Sequence, residues 1–309
     1  MKITVLMPVY NDWEALKLLL QRINALYKSK YPLMEFVLIN DASNIPYNAA
    51  EFSDFNIKVV HLNCNLSHQR AIAVGLAYLA NEEQKADYVV VMDSDGEDQP
   101  EHIELLIQKA ISEKSNIVFA QRKKRTESFA FKLFYIVYKF IFKMLTGHVI
   151  TFGNFCVIPA DMLKKLTFVS EIWNNFPGGA IRSKLPISSL PLDRGKRLAG
   201  VSKMNFTSLI IHGMSAISVF LDFTAVRILM LISLIVSGTI LGAGVVLYIK
   251  FVLNQATPGW ATTAISSLLT VSFQCFIIAL FILFMVLSSR RYTSFIPYLG
   301  YIIYIDKVE

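Results

Sequence analysis

Four carboxylates fall within six consecutive residues, Asp93-Ser94-Asp95-Gly96-Glu97-Asp98. Charges this close repel one another unless solvent or a cation lies between them. Their hard oxygens suit Mg2+ or Mn2+, and such an ion would bridge to a diphosphate. A solvated acidic turn has the same composition, so position must separate the two. A calcium loop of EF-hand type fits poorly, because Gly96 is misplaced for it. A second cluster carries the opposite sign: Arg194-Gly195-Lys196-Arg197-Leu198-Ala199-Gly200-Val201-Ser202-Lys203. As a flexible cationic loop it suits closing over a diphosphate and receiving an anionic lipid phosphate. As a juxtamembrane run it suits headgroups, and both uses can hold together.

Such residues need rigid elements to place them. Residues 88–92 (Tyr-Val-Val-Val-Met) form an apolar run of strand length that ends at Asp93. Residues 3–9, 35–40, 57–62 and 116–120 read as further buried strands. Between them, 13–27, 67–81 and 100–113 carry helical patterns, the first with Leu16, Leu19, Leu20, Ile23 and Leu26 at helical spacing. Alternating strands and helices with continuously apolar strands predict a mostly parallel α/β sheet. Ligands of such sheets bind beyond the carboxyl ends of the strands. Asp12, Asp41, Asp93 and Asp95 all fall just there, and that convergence favours a site over a plain acidic turn.

The last third of the chain is different. Residues 228–249 are uncharged and would span about 33 Å as a helix, enough for a hydrocarbon core of about 30 Å. No charge lies between Lys250 and Arg290, and 262–289 is long enough to return. Asn254-Gln255-Ala256-Thr257-Pro258-Gly259-Trp260 supplies turn residues and an interfacial Trp. Arg227 before the first span and Arg290 and Arg291 after the second put the N-terminal domain and the tail in the cytoplasm, by the positive-inside rule. Residues 128–147 set Lys132, Lys139 and Lys143 on one side of a helix rich in aromatics, which fits an interfacial helix or one packed on the spans. Residues 205–222 offer a second amphipathic candidate.

The net charge of +7 reads as attraction to anionic headgroups; no nucleic-acid motif accompanies it, so no nucleic acid partner is expected. Cys64, Cys156 and Cys275 show no zinc spacing and fit free thiols in a reducing compartment. The N-terminal residues read as a first strand, too short for a signal peptide.

Pro8-Val9-Tyr10-Asn11-Asp12, Asn40-Asp41-Ala42-Ser43, Asn65-Leu66-Ser67-His68-Gln69 and Asp93-Ser94-Asp95 follow one another in that order. The ordered set resembles family 2 glycosyltransferases of GT-A fold, a Rossmann-like α/β architecture. Within them it is similar to the polyprenyl-phosphate enzymes of the dolichol-phosphate mannosyltransferase and bactoprenol glucosyltransferase types. The similarity covers residues 1–206 and continues into the two-span tail with its Pro258-Gly259-Trp260 turn. It implies that Pro8, Tyr10 and Asp12 line the nucleotide pocket, that Asp41 contacts the base, and that Asp93 and Asp95 hold the metal. Glu97 stands where relatives often have Gln and could also ligate. Arg122 would lie near the phosphates, with Lys123, Lys124 and Arg125 a solvated or lipid-facing patch. The basic segment matches an Arg-x-x-Arg-x-x-Gly-x-Ser-Lys pattern, which brings in Arg194, Arg197, Ser202 and Lys203. Of the five histidines only His68 falls inside a motif.

Two departures stand out: Gly153-Asn154-Phe155 where relatives have Gly-Asp-Phe, and Asn40-Asp41 where they have Asp-Asp. An acceptor hydroxyl would need a base at position 154. A lipid phosphate, with a second pKa of about 6, needs none. Asn154 would then orient sugar or acceptor, or mark an altered substrate.

The expected organisation is a catalytic domain over 1–206, with the interfacial helix 128–147 inside it. A juxtamembrane helix follows over 207–225. Two spans, about 228–250 and 262–289, lie within 226–309 and end in a cytoplasmic tail. The expected function is metal-dependent, inverting transfer of one sugar from a UDP- or GDP-sugar to a polyprenyl phosphate. The setting would be the cytoplasmic face of a membrane, most simply the bacterial inner membrane and its envelope polysaccharides, as a monomer or homo-oligomer. A glycolipid or lipid-linked saccharide acceptor is the alternative, and a non-catalytic scaffold a more distant one. The Gln-x-x-Arg-Trp signature of processive synthases is absent from the sequence.

Overall fold

The computed structural model describes residues 1–113, 116–122, 129–200, 206–289 and 294–309, with backbone only at 129–135, 206 and 209. Lys123, Lys124, Arg125, Ser202, Lys203, Arg290 and Arg291 lie outside the described residues or, like Lys132, outside the described side chains. The chain forms two compact units, one from 1–134, 150–219 and 294–309, the other from 135–149 and 220–293.

The first unit is built on one mixed sheet of eight strands in the order β7-β5-β6-β4-β1-β2-β3-β8. Its centre is β1 (Ile3–Val9), flanked in parallel by β2 (Glu35–Asn40) and β4 (Tyr88–Val91), with β3 (Ile57–Leu62) parallel beyond β2. All seven residues of β1 are buried, as its unbroken apolar run requires of a strand covered on both faces. On the other side, β6 (Phe152–Pro159) runs antiparallel between β4 and β5 (Ile117–Arg122), and β7 (Ile187–Leu192) is parallel to β5. The parallel expectation therefore holds for the nucleus of the sheet and gives way to mixed pairing outside it.

Helices α1 (Trp13–Tyr27) and α3 (His102–Ser112) cover one face. Leu16, Leu19, Leu20 and Ile23 of α1 are fully buried there. The other face carries α2 (His68–Asn81), α5 (Ala160–Thr167) and α6 (Phe176–Arg182) around Phe119 and Phe176. Burying each such aromatic contributes roughly 2–3 kcal/mol. Gly75 brings α2 down onto the strands: a Cβ there would stand 2.6 Å from Leu6 Cδ1 and 2.7 Å from Ile39 Cγ1. The chain returns to this unit at its end, through α10 (Pro297–Gly300) to β8 (Ile305–Val308), an antiparallel edge strand on β3. A strand in the tail was not expected; four residues, two of them charged, give little pattern to read. Between β7 and that return, α7 (Phe206–Ser218) forms within the predicted juxtamembrane stretch.

The second unit contains most of α4 (Phe129–Thr146) with α8 (Leu221–Phe251) and α9 (Trp260–Ser289). α8 and α9 are long and apolar enough to cross a membrane, and only 6 % of each span's apolar window is buried by protein. Core helices of a soluble domain would be covered; these are not. Thr239 Oγ1 of α8 meets Ser272 Oγ of α9 at 2.7 Å. Arg227 donates to the carbonyls of Lys143 (3.2 Å) and Met144 (2.8 Å), closing the end of α4.

Candidate active site

The carboxyl ends of β1, β2, β3 and β4 meet, and the turns leaving them divide into two corners. In the first, Asn11 (φ 52°) and Ala42 (φ 52°) adopt left-handed backbone that non-glycine residues avoid. Hydrogen bonds hold both in place. Asn11 N–H donates to Ser43 Oγ (2.9 Å), and Ile45 N–H donates to Asn11 Oδ1 (2.9 Å). Ser43 N–H donates to Asn40 Oδ1 at 3.0 Å, and Asn40 Nδ2 lies 3.0 Å from His61 Nδ1. Asp41 is 3 % exposed and accepts from Leu66 N–H at 2.6 Å. Burial pushes its carboxyl up, against the pull of the Leu66 and Ser67 amides. Its side chain is thus engaged with the turn into α2. Pro8 is buried in β1, and Tyr10, just beyond the strand, is 38 % exposed.

The second corner is ionic. Asp12 precedes α1 but does not cap it; its carboxylate pairs instead with Arg197, 185 residues away. Arg197 also donates to Asp95 Oδ2 at 3.1 Å, so one guanidinium joins two strand-end turns. Arg194 pairs with Glu97 and lies 4.0 Å from Asp93 Oδ2. Backbone bonds seat this basic loop on the acidic turn: Gly195 N–H donates to Glu97 O (2.8 Å) and Leu198 N–H to Asp95 O (3.0 Å). Gly96 (φ +81°) is required, because a Cβ there would stand 2.4 Å from Leu198 Cγ. Arg122, at the end of β5, lies beside Gly153, and its charge reaches Asp93.

Crowding sets the protonation of the carboxylates. Burial would raise Asp93, but His68, Arg194 and Arg122 hold it well below the usual range. Burial and then Asp93 push Asp98 up to about 7, and the same two causes raise Asp95. Asp98 also accepts Asp93 N–H at 3.0 Å, a role absent from the sequence reading although Asp98 belongs to the same run.

Asn154 joins this corner from β6 by a relay whose direction is fixed. Phe176 N–H donates to Gln69 Oε1 (2.7 Å), so Gln69 Nε2 donates to Asn154 Oδ1 (3.0 Å). Asn154 Nδ2 therefore faces His68 Nε2 as a donor, at 2.9 Å. The same ring nitrogen is 3.0 Å from Asp93 Oδ1. With no proton on Nε2 the ring accepts from Asn154 and leaves Asp93 Oδ1 a buried oxygen without a donor. With a proton on Nε2, in the neutral Nε2–H tautomer or the imidazolium, it donates to Asp93 and opposes Asn154. Burial disfavours the protonated ring; Asp93, Asp98 and Asp95 favour it and carry His68 above its ordinary value. Gln69 was missed although it adjoins His68 in the quoted motif. His212 of α7, which no motif marks, is near enough to His68, Asp93 and Arg122 to feel their charges.

Among the described residues no three His, Cys, Asp or Glu side chains converge to hold an ion as they stand. Arginines occupy Asp12, Asp95 and Glu97 instead. The donor set nevertheless fits a hard divalent cation: its oxygens are carboxylate, and Asp93 Oδ1 lacks a donor when His68 Nε2 carries no proton.

Glycosyl transferase family 2 matches this sequence over residues 4–165. The undecaprenyl-phosphate 4-deoxy-4-formamido-L-arabinose transferase of Salmonella paratyphi A is 28 % identical over 289 residues, covering 88 % of this chain and 83 % of its own length. Its counterpart from Salmonella dublin aligns equally well, 28 % identical with 88 % and 83 % covered. Among solved structures, glucosyl-3-phosphoglycerate synthase from Mycobacterium tuberculosis, in complex with Mn2+, UDP-glucose and phosphoglyceric acid, superposes with a TM-score of 0.54. It is 15 % identical and covers 72 % of this chain and 79 % of its own, a likeness of fold. The chain belongs to family 2 of the glycosyltransferases, and is an enzyme of GT-A fold.

Proposed function

We propose that this family 2 glycosyltransferase moves one sugar, with inversion, from a UDP- or GDP-sugar to a polyprenyl phosphate at the cytoplasmic face of its membrane. The observation that carries this reading is the contact of Arg194 and Arg197 with Glu97, Asp12 and Asp95. A guanidinium that bridges two carboxylates is equally shaped for a diphosphate. The loop is therefore set to exchange partners when a nucleotide sugar enters. Support for the acceptor class comes from the Salmonella relatives, whose names specify undecaprenyl phosphate.

In the reaction an acceptor phosphate oxygen attacks the anomeric carbon, the bond from that carbon to the diphosphate breaks, and the nucleoside diphosphate leaves with the electron pair. The ionised acceptor has no proton to surrender at neutral pH. Asn154, which cannot act as a base, is consistent with that; its amide orients His68 and the reacting groups. Arg194 and Arg197 stabilise charge on the departing diphosphate, and Arg122 faces it from β5. A divalent ion, Mg2+ or Mn2+, held by Asp93 and Asp95 with Glu97 beside them, would supply further neutralisation of that charge. Pro8, Tyr10 and Asp12 border the nucleotide, with Asp41 behind them. Ser202 and Lys203, which follow Arg197 in the basic segment, would bind the acceptor phosphate.

The membrane setting rests on α8 and α9 and on charges at their ends, Arg227 on one and Arg290-Arg291 after the other. Purified protein, Mn2+, undecaprenyl phosphate and a panel of UDP- and GDP-sugars should yield a lipid-linked monosaccharide by thin-layer chromatography. Product formed with a glycolipid acceptor, and with no polyprenyl phosphate, would overturn the acceptor assignment.

A further inference from the structure

His61 belongs to none of the sequence motifs. It lies on β3, its side chain 13 % exposed. Its contacts have a direction that the backbone dictates. Ser43 N–H can only donate, so the atom of Asn40 that meets it at 3.0 Å is the amide oxygen. The Asn40 nitrogen must then face His61 Nδ1, and donate to it, at 3.0 Å. His61 is the acceptor at the head of a chain of bonds. Asn40 holds Ser43, Ser43 Oγ takes Asn11 N–H, and Asn11 Oδ1 takes Ile45 N–H. Of the two residues with left-handed backbone in this corner, Asn11 is a member of that chain and Ala42 lies in the turn that the Asn40–Ser43 bond closes.

The C-terminal segment encloses His61 from outside. Lys307 of β8 is its register partner across the strands, and Glu309 Oε2 is 3.7 Å from Nε2. Nε2 is buried without a hydrogen-bond partner. With Nδ1 accepting, the ring proton of the neutral imidazole sits on Nε2, toward the Glu309 carboxylate. Tyr47 packs against the ring edge to face, at 6.1 Å between centroids. Burial lowers His61, opposed by Glu309 and Asp306 and assisted by Lys307, in keeping with a neutral ring. An aspartate at position 40 would accept from Nδ1–H instead, so Asn40 sets which ring nitrogen of His61 carries the proton.

We propose that His61 is a positioning residue for nucleotide recognition: by accepting the amide proton of Asn40 it locks the Asn40–Ser43–Asn11 turn in the shape that receives the nucleoside. This rests on the nucleotide-sugar reading given above. Three variants test it. His61→Phe keeps a ring against Tyr47 but has no acceptor, and His61→Leu carries the same test should that ring not fit. His61→Gln restores an acceptor oxygen. Calorimetry with UDP and with GDP, each with Mn2+, should show the Phe or Leu variant binding about tenfold more weakly, since a buried donor is left unmade. The Gln variant should stay within about twofold of the wild type. Deuterium exchange of the nucleotide-free protein should be faster at residues 41–45 in the Phe or Leu variant alone, with unchanged exchange in α3. Wild-type affinity and wild-type exchange in both acceptor-less variants would overturn the proposal. A wild-type protein that binds neither nucleotide would overturn the functional reading instead, and the exchange at 41–45 would then decide the positioning role by itself.

Discussion

The two corners of the site solve opposite problems with opposite chemistry. Around Asn11, Asn40 and Ser43 the bonding groups are amides and a hydroxyl, with the Asp41 carboxyl engaged by the Leu66 amide, and each hydrogen bond has one permitted direction. Around Asp12, Asp93, Asp95 and Glu97 the groups are charged and held by two arginines. A directional network has one low-energy arrangement and makes a rigid mould. Ion pairs are less particular about geometry, and an arginine can leave one anion for another. The first corner thus suits recognition of an uncharged base and ribose. The second suits a diphosphate that must be gripped and then released.

Mutations should expose this difference, beginning with the ionic corner. Asp93→Asn removes the carboxylate that His68 and Arg194 both address, and should lower kcat/KM for sugar transfer by about a thousandfold. Arg197→Ala should cost about a hundredfold in the same assay. Arg197→Lys should recover only part of that, since a point charge does not span Asp12 and Asp95 together.

Asp98 gives a pH test. Its carboxyl is held near 7 by burial and by Asp93, above an unfolded value of about 3.9. A carboxyl raised in the folded state binds its proton more tightly there. The cost of ionising it is absent below about pH 4, grows up to about pH 7 and is constant beyond. Asp98→Asn, which can still accept Asp93 N–H, should therefore melt higher than the wild type at pH 8 in chelator, by about 3–6 °C. The gap should close as the pH falls toward 4. The smallest effect belongs to the neutral corner. Ala42→Gly suits the φ of 52° and disturbs no hydrogen bond made by Asn40 or Ser43, so nucleotide affinity should hold within about twofold and melting within about 2 °C.

The sequence made one kind of feature plain and hid another. Asp93 and Asp95 could be placed because an unbroken apolar run before them marks a buried strand, and the same logic placed Asp12 and Asp41. The two long spans were readable from the absence of charge. What stayed hidden depends on pairing across the chain. Arg197 was legible as basic, but its partners Asp12 and Asp95 are 185 and 102 residues away. Gln69 and Asn154 meet across 85 residues, and His61 with Asn40 requires the register of β2 against β3. Composition and periodicity carry no record of register. β8 was hidden too, because an edge strand of four residues with two charges looks like a tail.

That edge strand also orders events in time. β8 pairs with β3, yet in the chain it follows both α8 and α9. A ribosome delivers the N-terminal strands first and the last residues at the end. The pairing of β8 with β3, and with it the approach of Glu309 to His61, can thus form only after both hydrophobic helices have been made. The sheet of the first unit is therefore completed by a segment made after both long apolar helices.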